Sequence, residues 1–236
     1  MALSEVDLLD VLEDELVMIG VSKALAERRA KRILRLGAKL FWRTWPWTFS
    51  MKRGSLTLSE DETYLSAPDD CEMILGIQRQ TSSDYGYDLV EYPVNQFDKF
   101  FPYPDAHSAD QVMSYKVESD DGSKKIYTFP VSDDDDSSSI LYKQQFDSVG
   151  AFLALLPEDY EPHLITAAMA FGHPSGNESR AYAWNEWRRM RIEAIKNDHV
   201  SFRLLVQHTA GLRDYNFHSL GSWQLAVAGG RQPYEV

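Results

Sequence analysis

Histidine and cysteine, the side chains most often used for nucleophilic and metal chemistry, are sparse in this chain of 236 residues. The six histidines stand at positions 107, 163, 173, 199, 208 and 218, and no two have the spacing that places a pair of ligands on one helix face. The single cysteine, Cys71, lies among strand-forming residues with no histidine near it in sequence. This setting is typical of a small buried side chain, and we predict neither a thiol nucleophile nor a metal site.

Two groups of carboxylates could act as an acid and base pair or bind a cation. Glu158, Asp159 and Glu161 begin a helical stretch, where the helix dipole alone favours acids. Residues 133–136 are four aspartates without the glycine and spaced ligands of a calcium loop, which is typical of a solvated hairpin tip. The sequence has no P-loop, G-x-S-x-G or G-x-G-x-x-G motif. We therefore expect no catalytic residues, no cofactor and no enzymatic activity.

The charge balance disfavours a protein whose main task is to neutralise phosphates. The chain has 24 Lys and Arg against 36 Asp and Glu, a net charge of −12. Its first fifteen residues contain six acids and no base, the reverse of a signal peptide. The apolar runs are also far shorter than the roughly 20 residues that cross a bilayer. We expect a soluble protein, made in the cytoplasm, with no membrane partner.

Helical periodicity is found near both ends of the chain. A first helix follows Ser4, and a second runs from Ser22 to about Arg43. The period returns over 158–171, breaks at a Gly-His-Pro sequence, and resumes over 177–198. Each of the four segments has an apolar stripe to bury, so the two pairs are expected to pack together.

Short alternating runs between residues 56 and 146 predict strands, and residues 56–150 hold 20 acids but only 6 bases. We therefore predict an α+β protein. Its N- and C-terminal helix pairs form a helical bundle from residues 1–46 and 155–198. An antiparallel β-rich domain, 47–154, is inserted between them, and an extended C-terminal arm covers 199–236.

The predicted arm is rich in aromatic residues and glycine but lacks a regular period. It has no neighbouring element with which to form a core, so we expect it to dock on another protein. The candidate anchors of this arm are Phe202, Tyr215, Phe217, Trp223 and Tyr234.

The second helix carries eight bases and the first carries six acids. Opposite charge favours pairing of the two helices, although exposed pairs contribute only about 0 to 1 kcal/mol each. The basic helix could also contact other subunits or nucleic acid. The candidate contacts with other subunits are Arg28, Arg32, Arg35, Arg188 and Arg191.

Several short motifs follow one another along the two helical regions and the first strands. They are residues 26–34 in the second helix, then Trp45-Pro46-Trp47-Thr48-Phe49, Leu56-Thr57-Leu58, Pro68-Asp69-Asp70 and Leu156-Pro157-Glu158. This pattern resembles the head-to-tail connector adaptors of tailed bacteriophages, especially the tail adaptor, or tail tubular, proteins of short-tailed phages. The resemblance covers about 4–80 and 155–198, and the chain departs from it over 85–147 and after 198.

The resemblance implies a structural component of the virion neck that joins the portal to the tail as a ring, usually dodecameric. The portal protein and a tail nozzle or other tail proteins would be its partners, and the C-terminal extension would grip the portal. Genomic DNA would pass through the ring during ejection without sequence-specific binding, helped by the acidic charge. In such a ring the five candidate arginines would be subunit or channel contacts. Two alternatives remain: a tail-associated peptidoglycan hydrolase, and a DNA-packaging accessory protein that binds duplex DNA through helix 23–43.

Overall fold

The computed structural model describes residues 4–58, 62, 64–79, 87–103, 108–109, 112–120, 123–132, 136–173 and 178–209, and for 200–209 it describes only the backbone. Asn177, where the last helical segment is expected to begin, lies outside the described residues. So do four of the expected arm anchors, Tyr215, Phe217, Trp223 and Tyr234, and the side chain of the fifth, Phe202.

Six α-helices lie in the described part of the chain. The first two form a helical pair at the N-terminal end. Gly20 follows the end of the first helix and has a φ of +90°, a conformation that glycine adopts without strain. Ser4 and Ser22 occupy the N-cap positions, but neither side chain accepts a capping hydrogen bond. The helices are α1 (Glu5–Met18), α2 (Lys23–Thr44), α3 (Val94–Phe100), α4 (Val149–Leu155), α5 (Glu161–Gly172) and α6 (Glu178–Thr209).

One apolar core joins α1, α2, α4, α5 and α6. Leu8, Leu12 and Leu16 lie four residues apart on α1, and all three are buried in this core. Gly37 lets α2 approach α5 closely, because a Cβ at this position would lie 2.6 Å from the Cα of Ala168. Helices from both ends of the sequence therefore share a single core.

Two helical segments differ from the expected boundaries. Helix α4 lies within the range expected for the β-rich domain, yet Phe152 and Leu153 are buried in the helical core. Ser148 caps this helix by accepting a hydrogen bond from the backbone N–H of Ala151 at 3.2 Å. Helix α6 continues to Thr209, so residues 199–209 of the expected arm are helical. No glycine or proline interrupts the chain before Gly211, which explains the longer helix.

Among the described residues between α2 and α4 there are ten strands, and four of them form an antiparallel sheet in the order β1-β10-β3-β4. Ile140 lies opposite Gly54 on one side and Ile77 on the other. The strands are β1 (Met51–Leu58), β2 (Leu65–Ser66), β3 (Cys71–Arg79), β4 (Tyr87–Asp88), β5 (Val90–Glu91), β6 (Ser108–Ala109), β7 (Ser114–Asp120), β8 (Ser123–Phe129), β9 (Val131–Ser132) and β10 (Asp136–Gln144).

A second sheet has the order β2-β8-β7-β5, and β6 pairs with β9. The expected purely antiparallel arrangement is wrong here, because β5 pairs with β7 in parallel and β6 with β9 in parallel. The first of these pairs is reached through α3, which supplies the crossover that parallel strands require. The strands enclose their own core, with Tyr115, Ile126 and Ile140 at its centre. The α+β class is confirmed.

No helix within the described ranges combines the length and the apolar character needed to cross a bilayer.

Candidate subunit interface

An open groove of about 420 Å³ lies where α2 meets the end of α5 and the start of α6. Arg29 and Arg32 of α2 line one side, and Arg180 of α6 lines the other. The remaining lining is largely apolar. We call this surface the arginine groove; it comprises Arg29, Arg32, Ile33, Leu36, Phe171, Gly172, His173 and Arg180.

The three arginines of this groove have no hydrogen bond or ion pair with any residue that the structure describes. A guanidinium group carries its charge at any ordinary pH and presents donors in a fork that matches a carboxylate or a phosphate. The arginine groove therefore offers three unneutralised cations beside apolar side chains.

Helix α1 presents the opposite charge. Its buried residues Leu8, Leu12 and Leu16 define one side, and Asp7, Asp10 and Asp14 project from the other into solvent. Apolar side chains on the same side are also exposed, with Val6 at 65% and Met18 at 73% of their full accessible area. We call this surface the acidic face of α1; it comprises Val6, Asp7, Asp10, Val11, Asp14, Val17 and Met18.

Helices α1 and α2 pair as expected, but ion pairs between their described residues do not hold them together. They pack together, but no carboxylate of α1 lies within 4 Å of a basic side chain of α2. The contact is apolar, since Leu8, Leu12 and Leu16 share a core with Ala26, Ile33 and other residues of α2. The arginine groove and the acidic face of α1 are therefore exposed to solvent, and their charges are not neutralised by ion pairs between the two helices.

The five arginines expected to make subunit contacts have different surroundings. Arg28, Arg32 and Arg35 are exposed on α2, spaced so that they share its outer side, and Arg32 lines the arginine groove. Arg188 is exposed on α6 and donates a long hydrogen bond of 3.4 Å to Asn185 Oδ1.

Arg191 is half-buried, and its Nε atom has no hydrogen-bond partner among the described residues. Burial lowers the pKa of Arg191, and the nearby Arg188 lowers it further. Sequence reasoning missed Arg29 and Arg180. Two features of the sequence could have pointed to them. Arg180 follows shortly after the Gly-His-Pro break, and the three-residue spacing of Arg29 and Arg32 places both on one side of α2.

The helices are fixed to the first sheet by a buried polar cluster. Trp42 Nε1 donates to Glu72 Oε2 at 2.9 Å, and Lys143 Nζ donates to the carbonyl oxygen of Trp42 at 2.7 Å. Lys143 also forms an ion pair with Glu72 at 3.2 Å. Burial lowers the pKa of Lys143, while the Glu72 carboxylate acts in the opposite direction. The end of α2 is thereby held against β3 and β10.

A second polar cluster holds the Trp-Pro-Trp-Thr-Phe motif against α6. Trp45 Nε1 donates to Asp198 Oδ2 at 3.0 Å, and Thr48 Oγ1 donates to Asp198 Oδ1 at 2.6 Å. Burial raises the pKa of Asp198, and the hydrogen bonds from Thr48 and Trp45 oppose that rise. Trp47 is itself fully buried and donates to the carbonyl oxygen of Phe41 at 2.8 Å.

The Pro-Asp-Asp motif ends in a carboxylate with three donors. Asp70 accepts hydrogen bonds from Tyr142 Oη at 2.8 Å, Lys52 Nζ at 3.0 Å and Gln144 Nε2 at 3.1 Å. Burial acts to raise the pKa of Asp70, but these donors outweigh it and lower the pKa from 3.8 to about 2. The motif thus ties the turn before β3 to β1 and β10.

The sequence candidates for chemistry are not assembled into a site in the part of the chain that the structure describes. Cys71 is buried, as expected, and burial raises the pKa of its thiol to about 11. Glu158 and Asp159 are exposed. No cluster of three or more described His, Cys, Asp or Glu residues could hold a metal ion. The aspartates at 133–135 lie outside the described residues.

A scan of the sequence against models of protein families gives no match, and a search of curated proteins gives none either. The motif residues that carry the resemblance to phage adaptors nevertheless have defined places in the fold. Trp45 and Thr48 contact α6, and Asp70 contacts β1 and β10. The proposed function therefore rests on these motifs and on the geometry of the surfaces.

Proposed function

We propose that this protein is a structural ring component of a phage virion, which joins the portal to the tail and forms part of the DNA channel. One observation carries the proposal most directly. Helices from both ends of the chain share one core, the Trp-Pro-Trp-Thr-Phe motif is hydrogen-bonded to α6, and the Pro-Asp-Asp motif is hydrogen-bonded to two strands of the inserted part. Such a chain has the organisation that the resemblance implies for a connector adaptor.

In this proposal, α1, α2, α5 and α6 are the helical bundle, and the strands are the inserted domain. The chain beyond Thr209 supplies the portal-docking arm. Aromatic side chains contribute much of the binding energy when they fill pockets, and repetition around a ring adds avidity. The arm's aromatic anchors include Tyr215, Phe217, Trp223 and Tyr234. A tail nozzle or another tail protein would attach on the opposite side of the ring.

The charge distribution supports a role around passing DNA. Residues 56–150 have a local net charge of −14, from 20 acids and 6 bases. An acidic channel wall repels phosphates, so genomic DNA could slide through without binding. No sequence-specific contact with DNA is needed for this role.

The proposal can be tested by mixing the full chain with the portal protein of the same phage and measuring complex formation by native mass spectrometry. A chain that ends at Thr209 is the first comparison. It keeps Asp198, which accepts hydrogen bonds from Trp45 and Thr48, and so it should stay folded. Trp223→Ala tests one anchor, and Gln224→Ala is its neighbouring control.

We expect the full chain and Gln224→Ala to bind the portal, whereas the shortened chain should not bind and Trp223→Ala should bind more weakly. Failure of the full chain to bind would contradict the proposed function. Normal binding of the shortened chain would contradict the role of the arm.

The DNA-packaging alternative is favoured by one observation: α2 exposes bases that pair with no described residue, among them Arg28, Arg32 and Arg35. It predicts that the full chain binds duplex DNA with an affinity that falls steeply with salt. The ring proposal predicts no such binding at physiological salt. A fluorescence anisotropy titration with labelled duplex DNA separates the two.

A further inference from the structure

We propose that the acidic face of α1 in one copy of this chain docks in the arginine groove of the next copy. The inference deepens the proposed function, since it names the surfaces through which the ring would assemble. Asp7, Asp10 and Asp14 on the first surface would meet Arg29, Arg32 and Arg180 on the second.

The electrostatic match is the first reason. Three aspartates and three arginines stand on exposed or half-exposed helix faces, and none of them has an ion pair with a described residue of its own chain. An arginine fork binds a carboxylate through two parallel hydrogen bonds, which adds orientation as well as attraction. Each copy therefore carries a set of charges that a second copy can neutralise.

The apolar match is the second reason. The acidic face of α1 exposes Val6 and Met18, which are costly to leave in water, and Val11 and Val17 are partly exposed beside them. The arginine groove supplies Ile33, Leu36 and Phe171 as apolar counterparts. Interfaces commonly combine an apolar centre with a polar rim, and the two surfaces together have both components.

A two-fold dimer, in which each α1 fills the groove of the other copy, would use the same residues but could not grow beyond two copies. We propose the heterologous contact instead: one copy uses α1 and its neighbour uses the groove, which leaves a free groove on the first copy and a free α1 on the second. Repetition of such a contact produces a closed ring when the rotation closes, and a filament when it does not. The inferred contact is therefore of the type that a ring protein needs.

Two other occupants of the groove are less well matched. The chain after Thr209 contains two acids, Asp214 and Glu235, and two bases, Arg213 and Arg231, so it has no net charge to complement three arginines. Duplex DNA could neutralise the arginines, but the protein as a whole has a net charge of −12, and the groove is lined in part by apolar residues.

The test is self-association of the full chain, measured by sedimentation velocity from micromolar to submillimolar concentration, at low salt and at about 0.5 M salt, where screening is strong. Asp10→Lys with Asp14→Lys reverses the acidic face of α1. Arg29→Glu with Arg32→Glu reverses the groove. Lys99→Glu with Lys196→Glu is the control for the groove variant, because it makes the same change in net charge at exposed sites outside both surfaces.

We expect the natural chain to associate at low salt and less at high salt, and each reversed chain to associate at least about tenfold more weakly. The control should associate like the natural chain. A chain with all four reversals should regain association, as should an equimolar mixture of the two reversed chains, because each reversed surface then meets its complement. Circular dichroism checks that every variant is folded.

Several outcomes would overturn the inference. They are a natural chain that stays monomeric throughout, reversed chains that associate normally, failure of the fourfold variant to recover, and loss of association in the chain that ends at Thr209. A groove variant that loses only duplex DNA binding would identify a DNA site instead.

The outcome is separable from that of the proposed function. If self-association behaves as expected but the portal is never bound, the inference stands and the proposed function fails. If rings form on the portal equally well with both reversed chains, the proposed function stands and the inference fails.

Discussion

Lys143 is the residue whose removal should most clearly loosen the attachment of the helices to the first sheet. It is buried, donates to the carbonyl of Trp42 and pairs with Glu72, so Lys143→Met leaves both acceptors without their charged partner. We expect a loss of about 2 to 4 kcal/mol in the free energy of unfolding, measured by urea denaturation at neutral pH.

Lys52→Met is the matched control for that measurement. Lys52 also pairs with a carboxylate, Asp70, but about half of its side chain is exposed. Exposed pairs contribute little, so its removal should cost less than about 1 kcal/mol. Equal losses of unfolding free energy in the two variants would show that the buried contacts of Lys143 between α2 and the first sheet contribute no more than an exposed ion pair.

Asp70 gives the protein a component of stability that depends on pH. Its pKa is about 2 in the folded chain, below the ordinary value of 3.8, so the folded state binds its proton more weakly than the unfolded state. The stabilisation is complete above about pH 5 and is lost as the pH falls towards 2. Because Asp70 is partly exposed, we expect about 1 kcal/mol or less.

The difference in unfolding free energy between the natural chain and Asp70→Asn should therefore shrink between pH 5 and 2. Tyr142→Phe removes one donor and should raise the pKa of Asp70, as followed by NMR titration of its carboxyl carbon. A difference that stays constant with pH would contradict this account of Asp70.

The burial of individual aromatic residues could be predicted from the sequence, but their partners could not. The clustering of Trp45 and Trp47 favours a core position, and both are buried. The acceptor for Trp45, however, is Asp198, which is 153 residues away along the chain. Local spacing has no information on a contact at that separation, so the polar clusters and the arginine groove became visible only in three dimensions.

At the scale of elements, the packing of α2 on α5 depends on a glycine. Gly37→Ala would place a methyl group 2.6 Å from the Cα and the backbone nitrogen of Ala168, and a backbone cannot yield as a flexible side chain can. We expect the helices to be forced apart, with a loss of about 1 to 3 kcal/mol in the free energy of unfolding.

Gly150→Ala in α4 is the control for this substitution. A Cβ at position 150 meets nothing within 4 Å, so alanine should be neutral or should stabilise by up to about 1 kcal/mol through its helix propensity. Thermal unfolding followed by circular dichroism compares the two variants. A Gly37→Ala chain as stable as Gly150→Ala would show that the close contact of α2 and α5 can relax freely.

The long helices were predictable as elements because their apolar residues recur over several turns. Helix α4 was not, since a seven-residue apolar run is equally typical of a buried strand. The parallel pairing of β5 with β7 was also unpredictable, because it depends on how α3 carries the chain across the sheet. The end of α6 was misplaced for a different reason: the apolar residues after Asp198 show no clear helical period, but no glycine or proline breaks the helix before Gly211.

At the scale of the whole molecule, charge is separated between regions. The acid excess lies in residues 56–150, while the exposed bases of α2 and the exposed acids of α1 lie on neighbouring helices. An assembly of many copies could pair these surfaces between subunits, as the inferred contact does. The separation of charge between regions is therefore consistent with both the proposed ring and the inferred contact between its copies.

The most direct test of the ring proposal is electron microscopy of the portal of the same phage mixed with the full chain. Particle images are averaged in side views and in views along the portal axis. The account predicts an additional ring of density beneath the portal, with dodecameric symmetry and one copy of the chain for each subunit. Portal particles that look the same with and without the chain, while the chain remains unbound, would contradict it.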